Sequence, residues 1–327
     1  MTDTNAPKWP NHDYAWRQWR AAMGGSRMHH AWIVAGKKGV GKRDFAADAA
    51  RELVASENVP QPTGDHPDII ILTYGPKDKK AQTAAANGKP YELARSIRVD
   101  QIRAMQRRLT TRPTLGERRV VIVDPADDME QGASNALLKS LEEPPRGTYF
   151  VLVAHRPARL LPTIRSRCRL LRVPILTDAQ IDAKLKEADA AQGEDARKTA
   201  IHAAEGSYGA ALRFAEQDLA PISGLIRNLL ARGDSDLTLR GKLAQMIGAR
   251  ADRERIGAVL ELSQAIVAEA ARSAQSNSQR AALGEIHAEL VKLARDAPTY
   301  NFDTGLLTLE IGTLLTRAAT SSEPAHG

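Results

Sequence analysis

The chain has 327 residues, 43% hydrophobic and 26% charged, proportions that exclude a largely disordered polymer and imply two or three domains. Its 46 Lys and Arg against 39 Asp and Glu leave a formal charge of +7, which is compatible with a nucleic-acid partner without demanding one. A single cysteine, Cys168, excludes an internal disulfide and every Cys-rich zinc module.

In chain order, the region after Met1 carries Trp9, Trp16, Arg17, Trp19 and Arg20 in place of the apolar run of a secretory signal. Runs such as Ile69-Ile70-Ile71-Leu72 are far too short to span a membrane, so a soluble, cytoplasmic protein with no membrane partner is expected. Strands are predicted at residues 31–35, 68–72, 119–124, 149–154 and 168–173, mostly as uninterrupted apolar runs of the kind buried on both faces. Helices are predicted between them over 42–55, 99–109 and 130–141. This alternation points to an α/β fold with a parallel sheet and helices on both sides. Between Gly75 and Arg95, two prolines and four lysines interrupt the pattern, and a solvated loop or flexible insertion is expected. After Pro174 no strand is predicted, and Ala and Leu recur at helical spacing. Helices are expected from Asp178 to about Ala188, from Asp195 to Ala204 and from Gly206-Ser207 through Phe214. A longer helical region follows from Ala220 to Arg317, with amphipathic stretches over 253–274 and 279–295. The chain thus reads as an α/β domain over 1–174, a small helical unit over 175–218 and a helical bundle over 219–327, with Ser321 to Gly327 frayed.

Gly36-Lys37-Lys38-Gly39-Val40-Gly41-Lys42 follows a predicted strand and opens a predicted helix, the context a phosphate-binding loop requires. Gly36, Gly39 and Gly41 let backbone amides turn toward phosphate oxygens, the helix N-terminus adds positive potential, and Lys42 reaches the terminal phosphates. The next position should offer a hydroxyl to Mg²⁺; it is Arg43, which has no oxygen ligand. Asp124 ends the buried run Arg119-Val120-Val121-Ile122-Val123, where such proteins place a metal-binding carboxylate. Asp127 and Asp128 read as the start of the next helix, where negative charge suits the N-terminus.

Further on stand Asn135-Ala136-Leu137-Leu138-Lys139-Ser140-Leu141-Glu142-Glu143-Pro144-Pro145, Tyr149-Phe150-Val151-Leu152-Val153 and Leu160-Leu161-Pro162-Thr163-Ile164-Arg165-Ser166-Arg167-Cys168. With the glycine loop and Val99-Asp100-Gln101-Ile102-Arg103, these closely resemble the bacterial clamp-loader AAA+ family, densely from Met28 to Pro174 and thinly beyond. The resemblance implies an AAA+ P-loop domain, a helical lid and an all-α C-terminal collar. It also implies assembly with gamma/tau and delta subunits in a hetero-pentamer that sets the sliding clamp on primed DNA in replication.

The resemblance gives Arg167 the role of an arginine finger, projecting into a neighbouring subunit's ATP site. A guanidinium suits this because it stays charged and donates through a planar fork. Without the motif, Arg165, Arg167 and Arg169 read as a solvated basic edge. Other positions depart from an active motor. Pro125 stands where such ATPases carry a catalytic Glu, and Gly209 where they carry a sensing arginine. Ala154-His155-Arg156 replaces the usual Thr and Asn, with His155 read as a surface loop residue. The family's four-cysteine zinc module is missing, so no zinc is expected. Gly36, Gly39, Gly41, Lys42 and Asp124 then form a vestigial site, with ATP binding doubtful and hydrolysis not expected. The resemblance implies a subunit with no activity of its own expected outside the polymerase holoenzyme. An active gamma/tau-like ATPase and a stand-alone DNA-binding protein are the competing readings. Glu142 and Glu143 read as helix-end surface. Lys139, Arg118 and Arg119 are candidates for contact with DNA phosphates or neighbouring subunits.

Overall fold

The computed structural model describes residues 8–25, 28–56, 59–190, 193–248, 251–300 and 303–320; the stretches 1–7 and 321–327, on which two expectations fell, lie outside the described residues. Two compact units divide the chain, residues 1–175 and 176–327.

In the first unit the strands β1 (Ala31–Ala35), β2 (Ile69–Leu72), β3 (Arg119–Val123), β4 (Thr148–Ala154) and β5 (Arg169–Arg172) form a parallel sheet in the order β2-β3-β4-β1-β5. Around them lie α1 (Asp13–Met23), α2 (Lys42–Val54), α3 (Lys79–Ala86), α4 (Val99–Arg108), α5 (Gln131–Glu142) and the single turn α6 (Pro162–Arg165). Side chains alternate across a strand, and the core divides accordingly. Ile33, Val121, Val123, Phe150 and Leu152 join one cluster with Ile102 and Met105 of α4, Leu137 and Leu141 of α5, and Ile164 of α6. On the other face Trp32 meets Trp19 of α1 at 5.5 Å between ring centroids, and Trp19 meets Phe45 of α2 at 6.4 Å. Burial on both faces explains the unbroken apolar runs of β1, β3 and β4. The edge strands differ from that expectation: in β5 only Leu171 is buried, and in β2 Ile70 and Leu72 are buried while Ile71 on the opposite face is exposed, so that face is not covered as it is over the central strands.

The segment expected to be a loop between Gly75 and Arg95 contains α3. Asp78 caps it by accepting the N–H of Ala81 at 2.8 Å, and the Ala-rich run behind it has high helix propensity despite the lysines. A short antiparallel bridge between Pro76 and Leu93 closes the segment, with Lys77 paired to Glu92 at 2.8 Å. Helix α1 stands outside the elements the sequence pattern predicts.

The second unit consists, among the described residues, of α7 (Asp178–Glu187), α8 (Glu194–Ala204), α9 (Tyr208–Glu216), α10 (Ala220–Arg232), α11 (Thr238–Ile247), α12 (Arg253–Ser273), α13 (Asn277–Tyr300) and α14 (Thr304–Thr320). Helix α8 packs on α9, α12 on α13, and α14 on both α10 and α11. Phe214, Ile226, Val259, Leu290 and Leu315 are among the buried residues of this unit. Asp234, buried ahead of α11, accepts the N–H groups of Leu239 and Arg240 at 2.9 Å each and pairs with the Arg240 guanidinium at 3.0 Å. No described helix is long and apolar enough to cross a membrane.

Candidate functional site

In a parallel sheet every strand delivers its loop to the same end, so the segments after β1, β3 and β4 meet there. The loop over 36–42 leaves β1 with the Gly36 N–H donating to the carbonyl of Ala154 at 3.3 Å. A Cβ on Gly36 would stand 2.4 Å from the Val173 carbonyl oxygen, so only glycine fits. Gly41 has φ +81°, and Lys42 opens α2, whose free amides and dipole face the loop. Asp124 follows β3 at the same end, so Gly36, Gly39, Gly41, Lys42 and Asp124 are brought together as the sequence suggests.

The loop is occupied by its own chain. Lys42 is 3% exposed, and its Nζ donates to the Lys37 carbonyl at 2.7 Å. Burial lowers its pKa to about 8 against the opposing pull of Asp124 and Asp127. Arg43 Nε lies 3.7 Å from Asp124 Oδ2. Burial raises the Asp124 carboxyl pKa, while Arg43 and Lys42 draw it back down. The Asp124–Pro125 peptide is cis. Above the loop runs a strap that sequence reasoning missed. The Trp9 indole lies so close to Gly41 that a Cβ there would meet ring carbons at 2.3 Å, and its Nε1–H donates to Asp44 at 2.8 Å. Asn11 donates to the Pro174 carbonyl at 2.8 Å and His12 Nε2–H to the Val40 carbonyl at 2.9 Å. A tryptophan-rich approach to a glycine loop was the available signal.

Asp127 and Asp128 lie in a single 3-10 turn (Ala126–Asp128) rather than at the head of α5, and each carboxylate braces a neighbouring segment. Asp127 accepts the N–H groups of His155 and Arg156 at 2.9 and 2.8 Å; Asp128 accepts the Tyr74 hydroxyl at 2.6 Å. His155 lies in the loop after β4, as expected, but is half-buried there and not at the surface. Burial and the charge of Lys42 hold its imidazole at a pKa of about 4, and its Nδ1 has no hydrogen-bond partner among the described residues. In the second unit Gly209 stands in the first turn of α9, and the arginine of that helix, Arg213, pairs with Glu261 at 2.5 Å.

Arg167 lies at the opposite end of the sheet. It precedes β5, whose Arg169 pairs in register with Trp32 of β1, whereas the glycine loop leaves the far end of β1. The run from Trp32 to Gly36 alone spans about 13 Å. The three motif residues have three tasks. Ser166 Oγ donates to the Thr163 carbonyl at 3.0 Å and closes the turn. Cys168 packs inward on the core, and burial pushes its thiol pKa up to about 12. Arg167 stays at the surface, with Nη1 donating to the Thr163 carbonyl at 3.0 Å and Nη2 paired with Glu142 at 2.7 Å. Glu142 is therefore more than helix-end surface.

Arg119 is not available to DNA. It is buried 3.7 Å from buried Asp68 and donates to the carbonyls of Arg108, Thr111 and Arg112 at 2.7 to 3.0 Å, fastening the segment after α4. Lys139 is exposed on α5, as is Asn135.

A five-stranded parallel sheet in this order, a glycine loop after β1 and a carboxylate closing β3 define an AAA+ P-loop module followed by helices. The chain belongs to the family described as DNA polymerase III, delta subunit, whose model matches residues 11–177. It is 36% identical over 170 residues to the DNA polymerase III subunit delta' of Pseudomonas aeruginosa, covering 47% of each chain. It is 33% identical over 174 residues to that of Bacillus subtilis, covering 50% of this chain and 47% of the relative. Against the Escherichia coli subunit delta' the figures are 31% over 214 residues, 61% and 58%. The chain thus spans about half the length of the curated relatives it matches.

Proposed function

We propose that this chain acts in a DNA polymerase III clamp loader as a subunit of the delta' type, a scaffold that lends Arg167 to ATP held by a neighbouring subunit. The observation that carries the reading is the position of Arg167. It stands at the sheet end opposite its own glycine loop, so its guanidinium serves a nucleotide only if another chain brings one to that edge. There its fork stabilises charge developing on the γ-phosphoryl oxygens as water displaces ADP, a contribution of about 10³–10⁵ in rate for such fingers.

The chain's own loop, in this reading, turns over no nucleotide. Position 43 offers no oxygen to Mg²⁺, and the Arg43 guanidinium sits against the carboxylate a metal would use, so the residues present do not fit the ion. Pro125 supplies no base, and Lys42 is already committed to Lys37. Helices α7–α9 serve as the lid and α10–α14 as the collar of a hetero-pentamer with gamma/tau and delta subunits, acting on the sliding clamp and primed DNA.

The test is Arg167→Ala in a loader reconstituted from this chain and its cognate gamma/tau and delta subunits. ATP hydrolysis is read in a single turnover at the motor site facing this subunit. A fall of about 10³-fold or more is expected; an unchanged rate would remove the finger assignment.

A further inference from the structure

The Arg167 side chain is already held in one orientation in the isolated chain, and its holder stands on a rigid support. Glu142 is the last residue of α5, and that last turn is pinned twice: Leu141 is 1% exposed in the core, and its carbonyl accepts the Nε2–H of His30 at 2.9 Å. Pro144-Pro145 then ends the helix, so the Glu142 backbone has little freedom. On the other side α6 is anchored by fully buried Ile164, and the Arg167 N–H donates to the Ile164 carbonyl at 3.1 Å. Between these two supports the guanidinium is shared out. Thr163 and Ser166 take Nη1, Glu142 takes one edge of Nη2, and Nε with the other Nη2 hydrogen has no described partner.

We infer that Glu142 is a positioning residue for Arg167, fixing the guanidinium before a neighbouring nucleotide arrives; this rests on the finger reading above. A long arginine carries much rotamer freedom, and losing it in advance lowers what must be lost when the fork meets phosphate. The Nε edge and the second Nη2 hydrogen are left for phosphate, so the carboxylate keeps its place while the fork meets its ligand. Glu142 touches no nucleotide in this scheme and acts only through Arg167.

Two measurements test this. In the chain alone, Arg167 is labelled with phenylglyoxal and followed by peptide mass spectrometry, with exposed Arg165 as internal reference. Glu142→Ala is expected to raise the Arg167 rate about three- to tenfold, and Glu142→Gln, which keeps an acceptor, by less. In the reconstituted loader, Glu142→Ala is expected to lower kcat at the facing site about three- to tenfold with KM for ATP unchanged, and to have no further effect on an Arg167→Ala background. Equal labelling rates, an unchanged kcat, or a loss that persists without Arg167 would each overturn the inference. If Arg167→Ala costs rate and Glu142→Ala does not, the finger stands and the positioning role falls; if Arg167→Ala costs nothing, both fall. Glu142→Gln, nearly isosteric, carries the same comparison if the alanine variant does not enter the loader.

Discussion

Two ends of one sheet hold cations of opposite fate. At the end where β1 and β3 finish, Lys42 is buried and bonded to the Lys37 carbonyl beside a tryptophan strap, and Arg43, itself exposed, stands 3.7 Å from Asp124. At the other end Arg167 is held at the surface, with part of its fork uncommitted. The residue types are similar; what separates them is which groups surround them. A pocket whose cations satisfy its own anions has little left for a ligand, whereas an arginine kept at a rim retains its charge for one.

The largest expected effect breaks the outward half of this contrast. Arg167→Lys keeps the charge and loses the planar fork, and single-turnover hydrolysis at the facing site should fall about 10²-fold, short of the alanine variant. Wild-type activity in the lysine variant would mean that charge alone is used there. Next comes an arginine at the same sheet end but turned inward. Arg119→Met strands the buried Asp68 carboxylate, and denaturant unfolding should show a loss of about 3 kcal/mol with no selective effect on hydrolysis. A loss below about 0.5 kcal/mol would return Arg119 to the surface-charge class.

A third test uses pH. The His155 pKa of about 4 lies below its ordinary 6.5, so between those values the unfolded chain binds the extra proton and stability falls as the pH drops. That contribution is complete above pH 6.5 and gone below 4; an H155N variant should therefore destabilise less than wild type on acidification through this window, by about 2 kcal/mol. Parallel unfolding curves for the two proteins would show that the imidazole titrates normally. The smallest effect sharpens the glycine-loop half. Arg43→Thr frees Asp124 and restores a hydroxyl, and Mg²⁺-ATP should bind about tenfold more tightly by isothermal calorimetry, still without turnover because Pro125 remains. Unaltered affinity would show that something other than Arg43 governs the pocket.

Much of this contrast was legible in the sequence because it lies in motifs with fixed local geometry. The glycine loop, Asp124 and the missing hydroxyl at position 43 could be placed by spacing alone, and the central strands showed as unbroken apolar runs. What escaped depends on partners distant in sequence. Trp9 meets Gly41 across the fold, Glu142 reaches Arg167 from another helix, and Arg119 reads as surface charge until Asp68 is brought beside it. The edge strands β2 and β5 stand where the runs predict them, but a hydrophobic run does not say whether both of its faces are covered. Helix α3 was hidden by its lysines, although Asp78 ahead of an alanine run was a usable cap signal.

The indole resting on Gly41 also equips the molecule with an optical reporter. Anything that entered the loop would have to shift or repolarise that ring, so the Trp9 emission, taken as the difference from a Trp9→Phe variant that keeps Trp16, Trp19 and Trp32, would record occupancy without a label. Spectroscopy on the unlabelled polypeptide thus follows the glycine-loop end of the sheet separately from the end that carries Arg167.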